Sequence, residues 1–185
     1  MSITAVIALI VSLLAAAFAG LSWRSSAQRT LHQVLEDIRK DYRTPEMYHA
    51  VRTLWEFYKD CQKNNEDFVD KYCRILGEDN KRLSRLDENL KLEAEQNTLN
   101  YQRRLVSQFY QHVAALYSTK VLPSNIVFRT WVEEDLRIIP NIIIPIETRL
   151  LQVVQTPPPH PIDENSLTVR LSALYKLYKD SKEKP

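Results

Sequence analysis

The stretch ITAVIALIVSLLAAAFAGLSWR, residues 3–24, decides the architecture because it carries no charged residue before Arg24. An α-helix rises about 1.5 Å per residue, so roughly 20 apolar residues cross the ~30 Å hydrocarbon core of a bilayer. A secretory signal peptide has a shorter apolar region after a basic start, and residues 1–4 contain no basic side chain. The stretch therefore predicts an uncleaved transmembrane anchor over residues 1–24, with cleavage after residues 17–19, Ala-Phe-Ala, as the alternative.

Basic residues follow this stretch closely in the sequence, namely Arg24, Arg29, Arg39, Lys40 and Arg43. Lys and Arg are enriched on the cytoplasmic side of membrane proteins. We therefore expect a single-pass protein of the bacterial cytoplasmic (inner) membrane, with its N-terminus outside and the bulk of the chain in the cytoplasm. Trp23 and Arg24 are predicted to lie at the membrane interface.

Small residues recur within the predicted anchor at four-residue steps, at Ala8, Ser12, Ala16 and Gly20. Small side chains at this spacing let two transmembrane helices approach closely. The row predicts a helix-packing site for self-association or for other membrane protein subunits. The alternative is that a segment so rich in alanine produces such a row by chance.

The overall composition favours helices after the anchor. The chain has only two glycines, Gly20 and Gly77, which argues against phosphate-binding loops, tight hairpins and β-barrels. With 25 basic and 23 acidic residues it has no electrostatic case for binding nucleic acid. The predicted fold class is all-α: a single N-terminal transmembrane helix followed by a cytosolic antiparallel helical bundle with one long helix.

Local patterns divide this cytosolic part into segments. Residues 25–43 are predicted to form a juxtamembrane amphipathic helix that continues the anchor or kinks near residues 25–26. Thr44-Pro45-Glu46 then predicts the start of a helical domain over residues 44–155, because Thr is a good N-cap and Pro suits the first helical position. Gly77 is predicted to cap the C-terminus of a helix in this domain.

If residues 81–119 are continuous, they form the long helix of the predicted bundle. A strongly charged stretch carries Leu83, Leu86 and Leu90 at helical spacing, which is typical of a solvated helix with a narrow leucine contact. An amphipathic run from Tyr101 to Leu116 follows it. Further on, the apolar residues between Pro140 and Pro145 form either a buried extended segment or a proline-kinked helix, and we favour the helix.

The C-terminal part begins with a proline-rich stretch. Residues 156–162 are predicted to form a semi-rigid linker, followed by an amphipathic helix and tail over residues 163–185. The apolar face of that helix carries Leu171, Leu174 and Tyr178. It either docks on the bundle, touches the anionic inner leaflet or holds a partner.

No pattern of residues predicts chemistry. Glu46 and His49 have the spacing of half a di-iron site, but no second such pair exists. His112 is interpreted as a structural residue, and the acidic trio at residues 133–135 as a source of local ion pairs. Cys61 and Cys73 have no histidine nearby in sequence and are interpreted as reduced packing residues. We therefore predict no catalytic or metal-binding residues, no cofactor and no enzyme activity.

The stretch QFYQHVAALYSTKVLPSNIVFRTWVEEDLRIIPNIIIPIE, residues 108–147, carries a resemblance to a known class of proteins. It resembles uncharacterised bacterial single-pass membrane proteins with a cytosolic helical domain of unknown function. In these a long helix is followed by a short loop, a second helix with a tryptophan, and a proline-bearing hydrophobic segment. The resemblance implies a membrane-tethered helical domain and supplies no catalytic residue or substrate.

These observations favour a non-enzymatic, membrane-anchored helical interaction module or an accessory subunit of a membrane protein complex. Its partners would be the lipid bilayer together with other subunits or a second copy, and no nucleic acid. The candidate partner-binding residues are Trp55, Phe57, Trp131, Leu171, Leu174 and Tyr178. Two alternatives are a membrane-associated sensor or effector that acts through oligomerisation, and an enzyme with an unrecognised site in the helical bundle.

Overall fold

The computed structural model describes residues 3–122, 133–154, 169, 171–176 and 179. Within that set it describes the backbone alone for residues 3–17, 20, 21, 23, 24, 27, 133, 134, 153 and 154. The described residues form helices and the turns between them, without a β-strand, which confirms the all-α class. The chain divides into two compact units, Met1–Arg39 and Lys40–Pro185.

The first unit consists mainly of α1, which runs over Ile3–Tyr42 without interruption. At about 1.5 Å per residue this helix is roughly 60 Å long. The helix runs through residues 25–26 without a break in its assignment. Within the part of the chain that the structure describes, no helix is both long and apolar enough to cross a bilayer.

Several predictions for α1 concern side chains that lie outside the described residues. They are the helix-packing row and the interface pair, namely Ala8, Ser12, Ala16, Gly20, Trp23 and Arg24. Both stay predictions.

The second unit begins with the helix pair α2, Pro45–Lys63, and α3, Phe68–Leu83. The predicted start of α2 is confirmed, because Thr44 Oγ1 accepts a hydrogen bond from the Met47 amide at 3.2 Å and Pro45 occupies the first turn. Asn65 turns the chain between the two helices with φ 55°, a left-handed conformation that asparagine tolerates better than most residues.

Gly77 does not end a helix, so the predicted C-cap is wrong. α3 continues through Gly77 to Leu83, whose side chain is buried. An ion pair between Arg82 and Asp79, at 3.1 Å, forms within this last part of the helix. The buried leucine beyond the glycine extends the helix, and glycine weakens a helix interior by only about 1 kcal/mol.

The predicted long helix over residues 81–119 is also wrong. The region contains the end of α3, then α4, Glu88–Gln96, and then α5, Leu99–Ser118. Thr98 starts α5 by accepting a hydrogen bond from the Tyr101 amide at 3.1 Å. Ser, Asp and Thr side chains favour helix ends over helix interiors, and this local preference overrides leucine spacing that continues across the turns.

α5 is the central helix of the described core. It packs most extensively against α2 and also contacts α3 and α4. The apolar residues of its buried face are Val106, Phe109, Tyr110, Val113, Ala114 and Tyr117.

A helical segment with an irregular middle completes the described core. It comprises α6, Glu133–Ile138, a π-helical turn, Ile139–Ile143, and α7, Ile144–Val154. Pro140 has no N–H for a regular helical bond, and the Ile144 amide donates to the Ile139 carbonyl in the i→i+5 pattern. The segment is therefore helical, as favoured over a buried extended segment, and Pro140 lies in a π-helical turn.

The C-terminal region is helical over residues 171–176. Leu171 and Leu174 are only 0 % and 2 % exposed, so this segment buries its apolar face within the fold. Trp131, Tyr178 and the predicted linker at residues 156–162 lie outside the described residues.

Candidate functional site

A buried ion pair joins α5 to α7 at the centre of the bundle. The Arg103 guanidinium donates through Nη1 to Glu147 Oε1, and the two side chains are 10 % and 9 % exposed. The Ser107 hydroxyl donates to the same carboxylate oxygen at 2.9 Å. Removing two charges from water is costly, so such a pair is tolerated only where further hydrogen bonds satisfy both groups.

Neighbouring polar side chains extend this pair into a network, which we call the Arg103 network: Tyr72, Asn100, Arg103, Ser107, Gln111 and Glu147. Asn100 Oδ1 accepts from Arg103 Nη2 and from the Tyr72 hydroxyl, each at 2.9 Å. Gln111 Nε2 donates to Ser107 Oγ at 3.1 Å. The four residues on α5 recur every three or four positions, so the helix places them on one face. The network thereby connects α3, α5 and α7.

Burial governs the electrostatics of the Arg103 network. It raises the pKa of Tyr72 to about 12, an effect that the nearby Arg103 charge partly opposes. The Nε atom of Arg103 is buried and has no hydrogen-bond acceptor among the described residues. Arg103 is therefore held in place by its two terminal nitrogens, and any loss of Glu147 would leave a buried charge poorly compensated.

A second polar contact joins the end of α1 to α6. The Tyr42 hydroxyl donates to Asp135 Oδ1 at 2.8 Å, and the Tyr110 hydroxyl donates to the Asp135 carbonyl at 2.6 Å. Burial is the largest cause of the raised pKa of both tyrosines. Asp135 belongs to the acidic trio that the sequence linked to local ion pairs, and the structure adds a long-range tyrosine contact to it.

The hydrogen bonds of both polar clusters join residues of different helices. The Glu147 carboxylate accepts hydrogen bonds from Arg103 and from Ser107. Raised pKa values keep Tyr42 and Tyr72 protonated at neutral pH. Among the described residues no group of three or more His, Cys, Asp or Glu side chains could hold a metal ion. Both clusters link parts of the chain that are distant in sequence.

The predicted partner-binding residues are only partly brought together. Trp55 and Phe57 are half-buried on α2, and because they are two positions apart they point to different sides of the helix. Trp55 contacts the Tyr58 ring edge-on at 5.9 Å between centroids, and Phe57 lies 5.9 Å from Lys71 Nζ. An aromatic patch that also includes Trp131 stays a prediction.

The C-terminal candidates differ in what the structure describes. Leu171 and Leu174 are buried, so a partner would reach them only if this segment left its place in the fold. Their role in partner binding stays a prediction, as does that of Tyr178.

The corner between α2 and α3 is closed by charged side chains. Lys71 Nζ lies 3.0 Å from Asp60 Oδ2 and 2.6 Å from Glu66 Oε2. The hydrogen bond from Lys71 lowers the pKa of Asp60, and hydrogen bonds to Glu66 and Asp60 raise the pKa of Lys71. These pairs lie beside Cys61 on α2, whose thiol pKa is raised by burial.

Two exposed leucines lie on α4. Leu90 and Leu92 are 57 % and 67 % exposed, and α4 contributes no residue to the core. The sequence predicted a narrow leucine contact on a long helix here, and the separation of α4 from its neighbours was missed. The Asp87 and Thr98 start signals were the features that could have revealed it.

Comparisons with known proteins identify no relative of this chain. The chain matches no protein-family model, no curated protein and no solved structure. The resemblance carried by residues 108–147 therefore stays a prediction. Over the described residues the chain is helical, and buried polar contacts join its helices.

Proposed function

We propose that the chain is a non-enzymatic, membrane-anchored interaction module. It holds a partner at the cytoplasmic face of a bacterial inner membrane, or it serves there as an accessory subunit of a membrane protein complex. The observation that carries the proposal is the uncharged stretch from Ile3 to Trp23, which continues in one unbroken helix to Tyr42. Residues 1–24 are the proposed anchor, and the bundle is the proposed cytosolic, antiparallel binding domain.

Tethering is the proposed mechanism. Two proteins held in the same membrane meet at a higher effective concentration than free proteins, so modest contacts between them suffice. The Arg103 network supports this role, because buried hydrogen bonds that join α3, α5 and α7 suit a scaffold that presents a fixed surface. The exposed leucines of α4 supply apolar surface for such contacts.

Membrane insertion is tested with the full chain and a matched pair of variants. Leu13→Arg places a charge at the centre of the proposed anchor, which costs about 2.5–3.5 kcal/mol at mid-bilayer, whereas Leu13→Ile keeps it apolar. We expect the parent and Leu13→Ile to stay in the membrane pellet after alkaline carbonate extraction, and the Leu13→Arg chain to be released. Release of the parent chain would contradict the proposal.

The interaction role is tested by native mass spectrometry of the full chain, extracted in mild detergent from its own host membranes. A complex of defined stoichiometry, with foreign subunits or with further copies of the chain, is the expected result. A chain that emerges only as a monomer contradicts the module. A bound metal ion or small molecule would instead favour an enzyme.

A further inference from the structure

The solvent side of α2 carries a regular row of large side chains, which we call the α2 row. Tyr48 is 69 % exposed, and the side chain of Arg52 is 64 % exposed. Lys59 is exposed and Trp55 is half-buried. All four residues lie on one uninterrupted helix, Pro45–Lys63.

The α2 row occupies a single face of its helix. Its members are spaced by four, three and four positions, and at about 100° per residue they lie within an arc of roughly 60°. The buried residues of α2 point about 140° away from this arc; they are Met47, Ala50, Leu54 and Cys61. A row spaced by fours and threes is the seam of a coiled coil, in which each residue meets one residue of a second helix.

The order of residue types makes the α2 row complementary to itself, because aromatic and cationic side chains alternate along it. When two such helices pack antiparallel, Tyr48 of one copy meets Lys59 of the other, and Arg52 meets Trp55. A two-fold axis repeats both contacts, so all four levels pair a cation with an aromatic ring, which is an attractive contact. Parallel packing would instead place Arg52 against Arg52 and Lys59 against Lys59.

The structure holds the two central side chains ready for such a contact. Arg52 Nε donates to Glu56 Oε1 at 2.7 Å, one turn further along the helix. This hydrogen bond lies in the plane of the guanidinium, so it leaves the faces of that plane for stacking on an aromatic ring. The Trp55 ring is supported by Tyr58, which it meets edge-on at 5.9 Å between centroids. Trp, Tyr and Arg are also the residue types that dominate the binding energy of protein interfaces.

We propose that the α2 row is a self-association face, through which α2 packs antiparallel against α2 of a second copy of this chain. A second copy fits because each level requires a cation where the other row has an aromatic ring. The inference deepens the proposed function and rests on it in one respect. A contact between two single helices is small, so it needs copies held in the same membrane.

The register is tested by cross-linking two differently tagged full-length chains, expressed together in bacterial cell membranes, with a short bis-maleimide. One chain carries Tyr48→Cys and the other Lys59→Cys, both in a Cys73→Ser background. We expect this mixed pair to cross-link about tenfold more than either chain with itself, because like positions lie about 16 Å apart along antiparallel helices. Glu88→Cys mixed with Glu93→Cys, both exposed on α4, measures random collisions.

The pairing chemistry is tested by an exchange of residues within the same cross-linking pair. Trp55→Arg is expected to reduce cross-linking about tenfold, because a guanidinium then faces Arg52 of the other copy. The double exchange Arg52→Trp/Trp55→Arg restores cross-linking to within about twofold, since each central level again pairs a cation with a ring. His49→Arg adds a charge about 100° away from Tyr48 around the same helix and leaves cross-linking unchanged.

Three results would overturn the face: a mixed pair that cross-links no more than the α4 control, like positions that cross-link as well as the mixed pair, or a double exchange that fails to restore Trp55→Arg. Carbonate extraction of the same membranes separates this inference from the proposed function. A membrane-bound chain that gives any of these results contradicts the face alone. An extractable chain that still cross-links in the expected pattern contradicts the anchor alone, and one that does not contradicts both.

Discussion

Arg103 and Glu147 are 44 residues apart in sequence, and they form an ion pair from which water is almost excluded. Arg103 lies on the central helix α5, and Glu147 lies one turn after the π-helical turn. Because a buried charge is tolerated only beside its partner, the pair fixes the register of α7 along α5.

Glu147→Gln is expected to reduce the free energy of unfolding by about 3–5 kcal/mol, because it leaves the Arg103 charge buried without its counter-ion. Denaturant unfolding followed by circular dichroism in detergent measures this loss. The matched control is Glu95→Gln, which breaks the more exposed pair with Arg104 and costs at most about 1 kcal/mol. Equal losses in the two variants would show that the buried pair stabilises the fold no more than the exposed pair does.

The bundle is expected to lose stability at alkaline pH. The pKa of Tyr72 is raised to about 12, mainly by burial, against an ordinary value near 10. The folded state therefore keeps the proton while the unfolded state loses it, so the stabilisation is complete below about pH 10 and declines up to about pH 12. For Tyr72 alone the decline amounts to about 2–3 kcal/mol.

Thermal unfolding of the parent and of Tyr72→Phe between pH 9 and 12 measures this effect. The variant is expected to lose less stability over that interval than the parent, although it starts lower without the Asn100 hydrogen bond. Tyr48→Phe removes an exposed hydroxyl and serves as the control with the parent's slope. Parallel curves for the parent and Tyr72→Phe would contradict the assignment.

Asp67→Ala is expected to cost about 1 kcal/mol of stability, because the Asp67 carboxylate accepts hydrogen bonds from the Val69 and Asp70 amides at 2.9 Å. Asp87 occupies the same position before α4 but makes no capping hydrogen bond with its side chain. Asp87→Ala is therefore expected to stay within about 0.5 kcal/mol of the parent in the same denaturant titration. A larger loss for Asp87→Ala than for Asp67→Ala would contradict both assignments.

Gly77→Ala is expected to stabilise the chain by about 0.5–1 kcal/mol, because alanine loses less conformational entropy than glycine within a helix. A methyl group at this position would meet no atom within 4 Å. The midpoint of thermal unfolding should rise. A fall would mean that the helix ends at the glycine, as the sequence pattern had indicated.

The sequence predicted structure best where a local rule decided it. The Thr44-Pro45 start of α2 is an example, since both residues act on the adjacent turn. The prediction of one helix over residues 81–119 failed because leucine spacing continues across the turn before Glu88 although the backbone does not. The spacing of apolar residues predicts which side chains share a face, but it does not predict a short break between two helices.

The candidate site was beyond reach for a different reason. Arg103 and Glu147 come together only when α5 and α7 pack, and no short-range pattern links them. Likewise, Leu171 and Leu174 were predicted as an amphipathic face, and only the packed structure shows that they are covered. Pro140 signalled an irregular helix correctly, but the choice of a π-helical turn depends on the buried isoleucines around it.

The complete burial of Cys61 gives the chain a built-in chemical reporter. Cys61 is 0 % exposed and burial raises the pKa of its thiol, so an alkylating reagent, which needs the thiolate, reacts only when the packing around this part of α2 opens. Cys73 on α3 is half-buried, so its thiol is expected to be alkylated faster than that of Cys61 and serves as an internal comparison. Pulsed alkylation of intact cells would thus measure how often the packing around Cys61 opens, without purification, detergent or an added label.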